Sequence, residues 1–280
     1  MNPRDGYPAG VPCWLDSSQP DPDAAALFYG GLFGWEFENR TPDGSPMRYL
    51  VGRLQGGDVA GIGSQPEGAD GPAAWNTYVW VDSAEETAAK VTEAGGSVLM
   101  DPFDVSDAGR MAAFADPAGA AFGVWQAKAG RGAQIVNEPG SWNFSGLNTP
   151  DPWGAKEFYG AVFGWETTDQ PESASFFRLP AYGDHLEERD PGLRERMKEV
   201  SAPDRFEETV AWLDTAEDGA PAQWGVTFAD ADADATAARA TELGGEVLVA
   251  PLDAPWVRMT VLRDPQGATF TASKFVPPTD

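Results

Sequence analysis

Three side chains in this sequence are placed to move a proton. Asp16 and Asp214 stand at the ends of predicted strands, and each follows a tryptophan by two residues, Trp14 and Trp212. Such a carboxylate is a general base or a cation seat where it faces a cavity, and a solvated strand end where it does not. His185 is the sole histidine and is flanked by Asp184 and Glu187. Imidazole is the side chain whose ordinary pKa lies near neutrality. It is a proton shuttle if its segment lies over a pocket, and an exposed residue otherwise. Arg110-Met111 and Arg258-Met259 repeat one dipeptide. Each guanidinium either pairs with a carboxylate of the chain or holds a carboxylate or phenolate of a ligand. A Ser-His-Asp order, a phosphate-binding Gly loop and a dinucleotide-binding fingerprint are missing.

The elements that must position these residues come in two copies. Phe28-Tyr29-Gly30-Gly31-Leu32-Phe33-Gly34-Trp35-Glu36 recurs 130 positions later as Phe158-Tyr159-Gly160-Ala161-Val162-Phe163-Gly164-Trp165-Glu166, with seven of nine residues identical. The chain is therefore an internal duplication. Asp21-Pro22 and Asp151-Pro152 predict helix starts, and Gly34 and Gly164 predict helix ends. The spacing predicts a helix over 22–33 with Leu27, Phe28, Leu32 and Phe33 as its buried stripe. Strands are expected at 11–16, 35–38, 47–51, 58–62, 75–81, 98–100, 110–115 and 120–125, and a second helix over 83–94 closed by Gly95-Gly96. Each half-module reads β-α-β-β-β. The later markers repeat as well: Gly244-Gly245, and Asp264-Pro265-Gln266-Gly267 after Asp116-Pro117-Ala118-Gly119. The expected organisation is module one over 1–128, a Gly-rich linker over 129–140, and module two over 141–280.

The marker spacing grows from 130 to 148–149, so module two has gained about 18 residues. The gain falls within an insert at about 167–212, around Tyr182-Gly183-Asp184-His185. A charged helix is expected from about 191 to 199, either as a lid on a pocket or as solvated decoration.

Composition limits the partners. The 280 residues carry a formal net charge of −25, which would repel nucleic acid and attract cationic ligands. Eleven Trp and fifteen Phe are enough for a substantial core. No apolar run approaches the ~18 residues of a membrane span, so no membrane partner is expected. The amino-terminal residues are polar and lack a signal core. Cys13 is the only cysteine, which excludes an intramolecular disulfide and makes a reducing, cytoplasmic location the expectation.

Four features together resemble the vicinal oxygen chelate superfamily, the glyoxalase and bleomycin-resistance fold. They are the Asp-x-x-x-Ala-x-x-Phe-Tyr helix, the Phe-Gly-Trp that ends it, the Gly-Gly after the second helix, and the Asp-Pro-x-Gly turn. The likeness covers about 8–128 and 140–276 and is nearest the tandem two-module actinobacterial type. It implies an α+β fold of tandem βαβββ modules whose mixed sheets curl around a pocket. That superfamily holds a divalent metal on His, Gln or Glu at three strand positions, where the ion stabilises an enolate or oxyanion. The corresponding positions here are Trp14, Asn76 and Gly123, then Phe144, Trp224 or Gly225, and Thr271. The resemblance therefore implies that the usual metal site is lost, with no metal and no cofactor.

In that fold, inward-facing strand residues line the pocket. The expected lining is Trp14, Asp16, Tyr49, Asn76, Tyr78, Trp80, Arg110, Phe114 and Trp125 in module one. In module two it is Phe144, Phe176, Trp212, Trp224, Trp256, Arg258 and Met259. Aromatic residues at the old ligand positions suit a flat guest, and equally a plugged core. Three functions remain open. One is sequestration of an aromatic or polycyclic, cationic metabolite. The second is a metal-independent cyclase, isomerase or lyase of secondary metabolism. The third is a regulatory module with a filled core. The partner is a small molecule in the first two, and the duplicated chain can work as a monomer, with a homodimer also compatible.

Overall fold

The computed structural model describes residues 4–68, 71–167, 175–217 and 219–277. The chain first runs through β1 (Pro12–Gln19), α1 (Pro22–Phe33), β2 (Glu36–Asn39), β3 (Tyr49–Leu54) and β4 (Gly57–Ser64). It then repeats the series as β5 (Ala74–Trp80), α2 (Ala84–Glu93), β6 (Ser97–Val105), β7 (Gly109–Ala115) and β8 (Ala121–Ala127). These strands form one mixed sheet in the order β2-β3-β4-β1-β5-β8-β7-β6. Its centre is an antiparallel β1–β5 pair that sets Asp16 opposite Asn76. β4 returns parallel to β1, and β8 parallel to β5.

The second half builds β9 (Trp142–Thr149), α3 (Pro152–Phe163), β10 (Ser175–Arg178), α4 (Tyr182–Arg189), α5 (Leu193–Glu199) and β11 (Thr209–Thr215). It continues with β12 (Gln223–Ala229), α6 (Ala233–Glu242), β13 (Glu246–Ala254), β14 (Val257–Arg263) and β15 (Thr269–Phe275). The order of this sheet is β10-β11-β9-β12-β15-β14-β13. The architecture is α+β with two open mixed sheets, as the duplication predicts. Where the first sheet has β2, the second has a bridge between Glu166 and Arg178.

The helix signals act locally as expected. Asp21 accepts from the amides of Asp23 and Ala24, and Asp151 from that of Gly154. Such a cap is worth about 1 kcal/mol. Gly34 and Gly164 end α1 and α3 with φ of 74° and 73°, a conformation glycine adopts without a Cβ penalty. The buried stripe of α1 differs from expectation. Ala25, Phe28 and Tyr29 are buried, whereas Leu27 is 78 % exposed. Residues at i, i+3 and i+4 share a helix face, and Leu27 falls outside that set.

The repeated motifs meet across the two halves. One hydrophobic core joins β1, α1, β3 and β4 to β12, α6, β14 and β15, and the other joins β5, α2, β7 and β8 to α3 and β9–β11. A Cβ on Gly245 would stand 3.0 Å from Phe28 Cε2, and one on Gly96 2.8 Å from Phe158 Cε2. The Tyr29 hydroxyl donates to Asp264 at 2.9 Å, and that of Tyr159 to Asp116 at 3.1 Å. Trp75 and Trp224 donate their indole N–H to these same tyrosine hydroxyls. The Phe-Tyr helix, the Gly-Gly and the Asp-Pro-x-Gly turn are thus parts of one lock, made twice.

The charged insert holds two short helices, α4 and α5, where one was expected. It is anchored on the amino-terminal segment. Arg4 donates to the Tyr182 hydroxyl at 2.9 Å, and Arg189 pairs with Asp5 at 2.8 Å. Among the described residues no helix is long and apolar enough to cross a membrane.

Candidate functional site

The two sheets present chemically different faces opposite their helices. In the first sheet, period-two alternation buries Cys13, Leu15 and Ser17 and turns Trp14, Asp16 and Ser18 to the helix-free face. Tyr49 of β3 and Asn76 and Tyr78 of β5 join them. Asp16 Oδ1 accepts from Asn76 Nδ2 at 2.9 Å, and Oδ2 from the Tyr78 hydroxyl at 3.0 Å. Trp14 Nε1 donates to the Tyr49 hydroxyl at 3.0 Å. Burial pushes the Asp16 carboxyl up to about 6, against hydrogen bonds from Asn76, Tyr78 and Tyr49 that lower it. Burial, with the Asp16 charge beside it, also raises the Tyr49 and Tyr78 phenols. At neutral pH the cluster is therefore one carboxylate beside two neutral phenols. Asp16 is half-buried on this face.

Two glycines make this arrangement possible. A Cβ on Gly61 would stand 2.2 Å from the Tyr49 hydroxyl oxygen, and one on Gly123 2.2 Å from Tyr78 Cδ1. The phenol rings lie on bare backbone. Gly61 carried no signal in the sequence, because the need for it arises only when β3 and β4 pair. Trp125 shares the face farther along β8, where its Nε1 donates to Gly130 O at 2.9 Å.

The second sheet places Phe144 and Gly146 of β9, Phe176 of β10 and Trp212 of β11 on its helix-free face. Phe206, from a short turn of helix late in the insert, completes the group. Phe176 and Trp212 lie 4.5 Å apart between centroids, and Phe206 approaches both Phe176 and Phe144. Phe206 is a residue the sequence did not single out, since nothing in the insert marks which part folds back. Asp214 is exposed two residues beyond Trp212, with its carboxyl raised by burial of its surroundings.

Several expected site residues lie elsewhere. Arg110 turns toward the helices and pairs with Glu85 of α2 at 2.6 Å and with Asp104. Arg258 does the same with Asp234 of α6 at 2.5 Å and with Asp253. Both residues alternate with the helix-free positions Met111 and Met259, so strand register decides the matter. Phe114 is fully buried in a core for the same reason. Trp224 is buried with its indole on Tyr159. Gly225, opposite Gly146, is therefore the counterpart of Asn76. Trp256 sits at a hairpin tip with φ of 71°, stacked on Phe275. His185 stacks beside Tyr182 on the insert, and its pKa is lowered by burial and by Arg189 and Arg4. A hollow of about 540 Å³ beside α1 is lined by Leu27, Trp35 and Phe37, and contains none of the expected site residues.

The residues at the superfamily's metal positions do not fit a divalent ion. Trp14 offers only an N–H donor, Gly123 has no side chain, and Asn76 spends its amide N–H on Asp16 and Ser18. Phe144, Gly225 and Thr271 supply one hydroxyl between them. Among the described residues no three His, Cys, Asp or Glu side chains gather where they could hold a metal.

Comparison with known proteins agrees with this fold. A model of the "Glyoxalase-like domain" matches residues 14–125 and again 145–273. The chain is 38 % identical over 280 residues to "Putative glyoxylase CFP32" of Mycobacterium bovis, covering 99 % of each chain. It is 35 % identical over 282 residues to "Anthracycline biosynthesis protein DnrV" of Streptomyces peucetius, covering 95 % of this chain and 93 % of that one. Among solved structures it is similar in fold to the 2,3-dioxygenase LapB of Pseudomonas sp. KL28. There the TM-score is 0.62 at 12 % identity, over 97 % of this chain and 95 % of that one. The Mn(II)-bound glyoxalase of Novosphingobium aromaticivorans gives 0.59 at 15 % identity, over 98 % and 83 %. With the domain model matched twice over most of its length, the chain belongs to the glyoxalase-like domain family.

Proposed function

We propose that this protein rearranges a small aromatic or polycyclic metabolite by proton transfer, without a bound metal. The observation that carries the reading is Asp16, held on the helix-free face of the first sheet by Asn76 and Tyr78. A base needs a fixed position and a pKa near the working pH, and Asp16 has both. It takes a proton from a carbon beside a carbonyl. The Tyr49 hydroxyl accepts from Trp14 and donates to Asp16 while that group is ionised; once Asp16 has taken the substrate proton, the phenol is released to donate to the developing oxyanion. Return of the proton to another atom of the same skeleton completes an isomerisation or ring closure, and no oxidant is consumed. The relative named for anthracycline biosynthesis supports a polycyclic aromatic substrate in secondary metabolism. Residues 1–128 and 141–280 act in this reading as two modules joined by 129–140.

Sequestration is the second reading. It is favoured by the aromatic group Phe144, Phe176, Phe206 and Trp212, which binds rings but offers no base among its own members. One experiment separates the two. The protein is incubated with EDTA and a panel of hydroxylated anthraquinones and their polycyclic keto precursors in D2O, followed by mass spectrometry. Conversion or deuterium uptake that Asp16→Asn reduces by about 100-fold or more supports proton transfer. Retention of one compound unchanged supports sequestration. Conversion that requires Mn(II) would overturn the metal-independent reading.

A further inference from the structure

Residues 128–134 cross one end of the first sheet. β4 runs parallel to β1, whereas β5 and β8 run opposite to it, so β1 and β4 begin where β8 ends. Leaving β8, the amides of Lys128 and Gly130 donate to Ala108 O. Ala133 then donates to Cys13 O of β1, and Gln134 to Asp58 O of β4. Two glycines permit this crossing. A Cβ on Gly132, whose φ is 76°, would stand 2.5 Å from Cys13 O, and one on Gly130 3.0 Å from Trp125 Cζ2.

The crossing segment bounds a hollow of about 320 Å³ lined by Arg40, Arg53, Asp58, Arg131, Gly132 and Gln134. Arg40 pairs with Asp58 at 2.8 Å and with Glu38 at 3.1 Å. Arg53 lies 3.2 Å from Asp58 and 3.6 Å from Glu38. Two carboxylates thus pin two guanidinium groups. Arg131 is uncommitted. It is exposed, and among the described residues its guanidinium reaches only Asp5 O, at 3.5 Å. The backbone N–H groups of Arg131 and Gly132 donate to no described residue. Three guanidinium groups against Asp58 and Glu38 leave this hollow positive, in a chain of net charge −25. Charges farther off than about 8 Å are largely screened at physiological salt, so the local excess decides what binds.

The hollow borders the face that carries Asp16. Trp125 of that face donates to Gly130 O at 2.9 Å. The Arg40 charge is felt at the Tyr49 phenol, whose pKa it acts to lower against the effect of burial. Cys13, which Gly132 meets, precedes Asp16 by three residues, about 10 Å along a strand.

We infer that the arginine hollow is a carboxylate seat, so that the guest of the first sheet is an aromatic or polycyclic acid. The Arg131 fork grips the carboxylate, the amides of Arg131 and Gly132 lie beside it, and Arg40 and Arg53 supply fixed positive charge. The ring skeleton then runs from the hollow toward Asp16, with the acid at one end and the carbon to be deprotonated at the other. That orientation rests on the proton-transfer reading, whereas the carboxylate seat does not.

The test titrates anthraquinone-2-carboxylate and its neutral carboxamide into the intact chain, followed by quenching of tryptophan fluorescence. The wild type should bind the carboxylate about tenfold more tightly than the carboxamide. This preference should shrink as salt rises from about 0.05 to 0.5 M. Arg131→Gln should abolish it, and Arg131→Lys, which keeps the charge without the fork, should restore part of it. Arg131→Glu should reverse it. Circular dichroism checks that each variant is folded. A wild type that does not prefer the carboxylate, or a preference that Arg131→Gln and Arg131→Glu leave intact, would overturn the seat. Failure of the proton-transfer reading shows separately, as Asp16→Asn turnover equal to wild type while the Arg131-dependent preference persists.

Discussion

The ring of Tyr78 lies directly on Gly123, so close that a methyl group there would stand 2.2 Å from Tyr78 Cδ1. A residue at a metal-ligand position of the superfamily has thereby become the floor beneath a phenol that binds a carboxylate. Gly123→Ala must push the ring away and break the Tyr78–Asp16 hydrogen bond. Overpacking of this kind costs about 1–3 kcal/mol, measurable by urea denaturation. Turnover should fall with it, and the pKa of Asp16 should rise as a stabilising donor leaves.

The pH dependence has two opposite signs. In its proposed role as proton acceptor, Asp16 must be ionised, so kcat/KM should rise with pH through an apparent pKa of about 6. Stability should move the other way. The folded state holds the Asp16 proton more tightly than the unfolded chain, whose carboxyl titrates near 4, so between about pH 4 and 6 the folded form binds more protons. This contribution is fully present below pH 4 and is lost as the pH rises through 6. Asp16→Asn should flatten that slope in thermal melts taken across the window, and an unchanged slope would contradict the buried-carboxyl assignment.

Tyr29→Phe removes the hydroxyl that links Trp75 Nε1 to Asp264. Both groups are buried, so the indole N–H loses its acceptor at a cost of about 1–3 kcal/mol. Tyr159→Phe should cost a similar amount through Trp224 and Asp116. The two sites lie in separate cores, so the double variant should show nearly additive losses in guanidinium denaturation.

Arg110→Ala should be nearly silent. Its partners Glu85 and Asp104 are more than half exposed, and such surface pairs contribute about 0–1 kcal/mol. Turnover and ligand affinity should match wild type, because the guanidinium points to the helices. A large loss of affinity would return Arg110 to the binding surface.

His185→Ala should likewise leave turnover and its pH profile unchanged. The imidazole packs beside Tyr182, near Arg4 and Arg189, at the contacts that anchor the insert on the amino-terminal segment. A profile whose neutral limb disappears in this variant would restore it as a proton shuttle.

The sequence by itself determined the duplication, the α+β class and the caps of the repeated helices. These are local or pattern properties: an Asp-Pro start, an αL glycine and a nine-residue repeat carry their meaning without a partner. The resemblance places the superfamily's metal positions at Trp14, Asn76 and Gly123, then Phe144, Trp224 or Gly225, and Thr271, and their identities are read directly from the sequence. Trp14, Asp16, Tyr49, Asn76 and Tyr78 were legible as a set because period-two strands fix their faces. Tertiary structure alone decided the rest. Arg110 and Arg258 turned to the helices because a shift of one residue exchanges the two faces of a strand. Leu27 stayed exposed because helix packing, rather than hydrophobicity, selects the buried stripe. Phe206 joined the aromatic group, and Phe28 found Gly245, through chain reversals that no local pattern encodes. The covered backbone at Gly61 and Gly123 is the clearest case. A glycine reads the same whether a tyrosine covers it or nothing does, and only the packing of the neighbouring strands distinguishes the two.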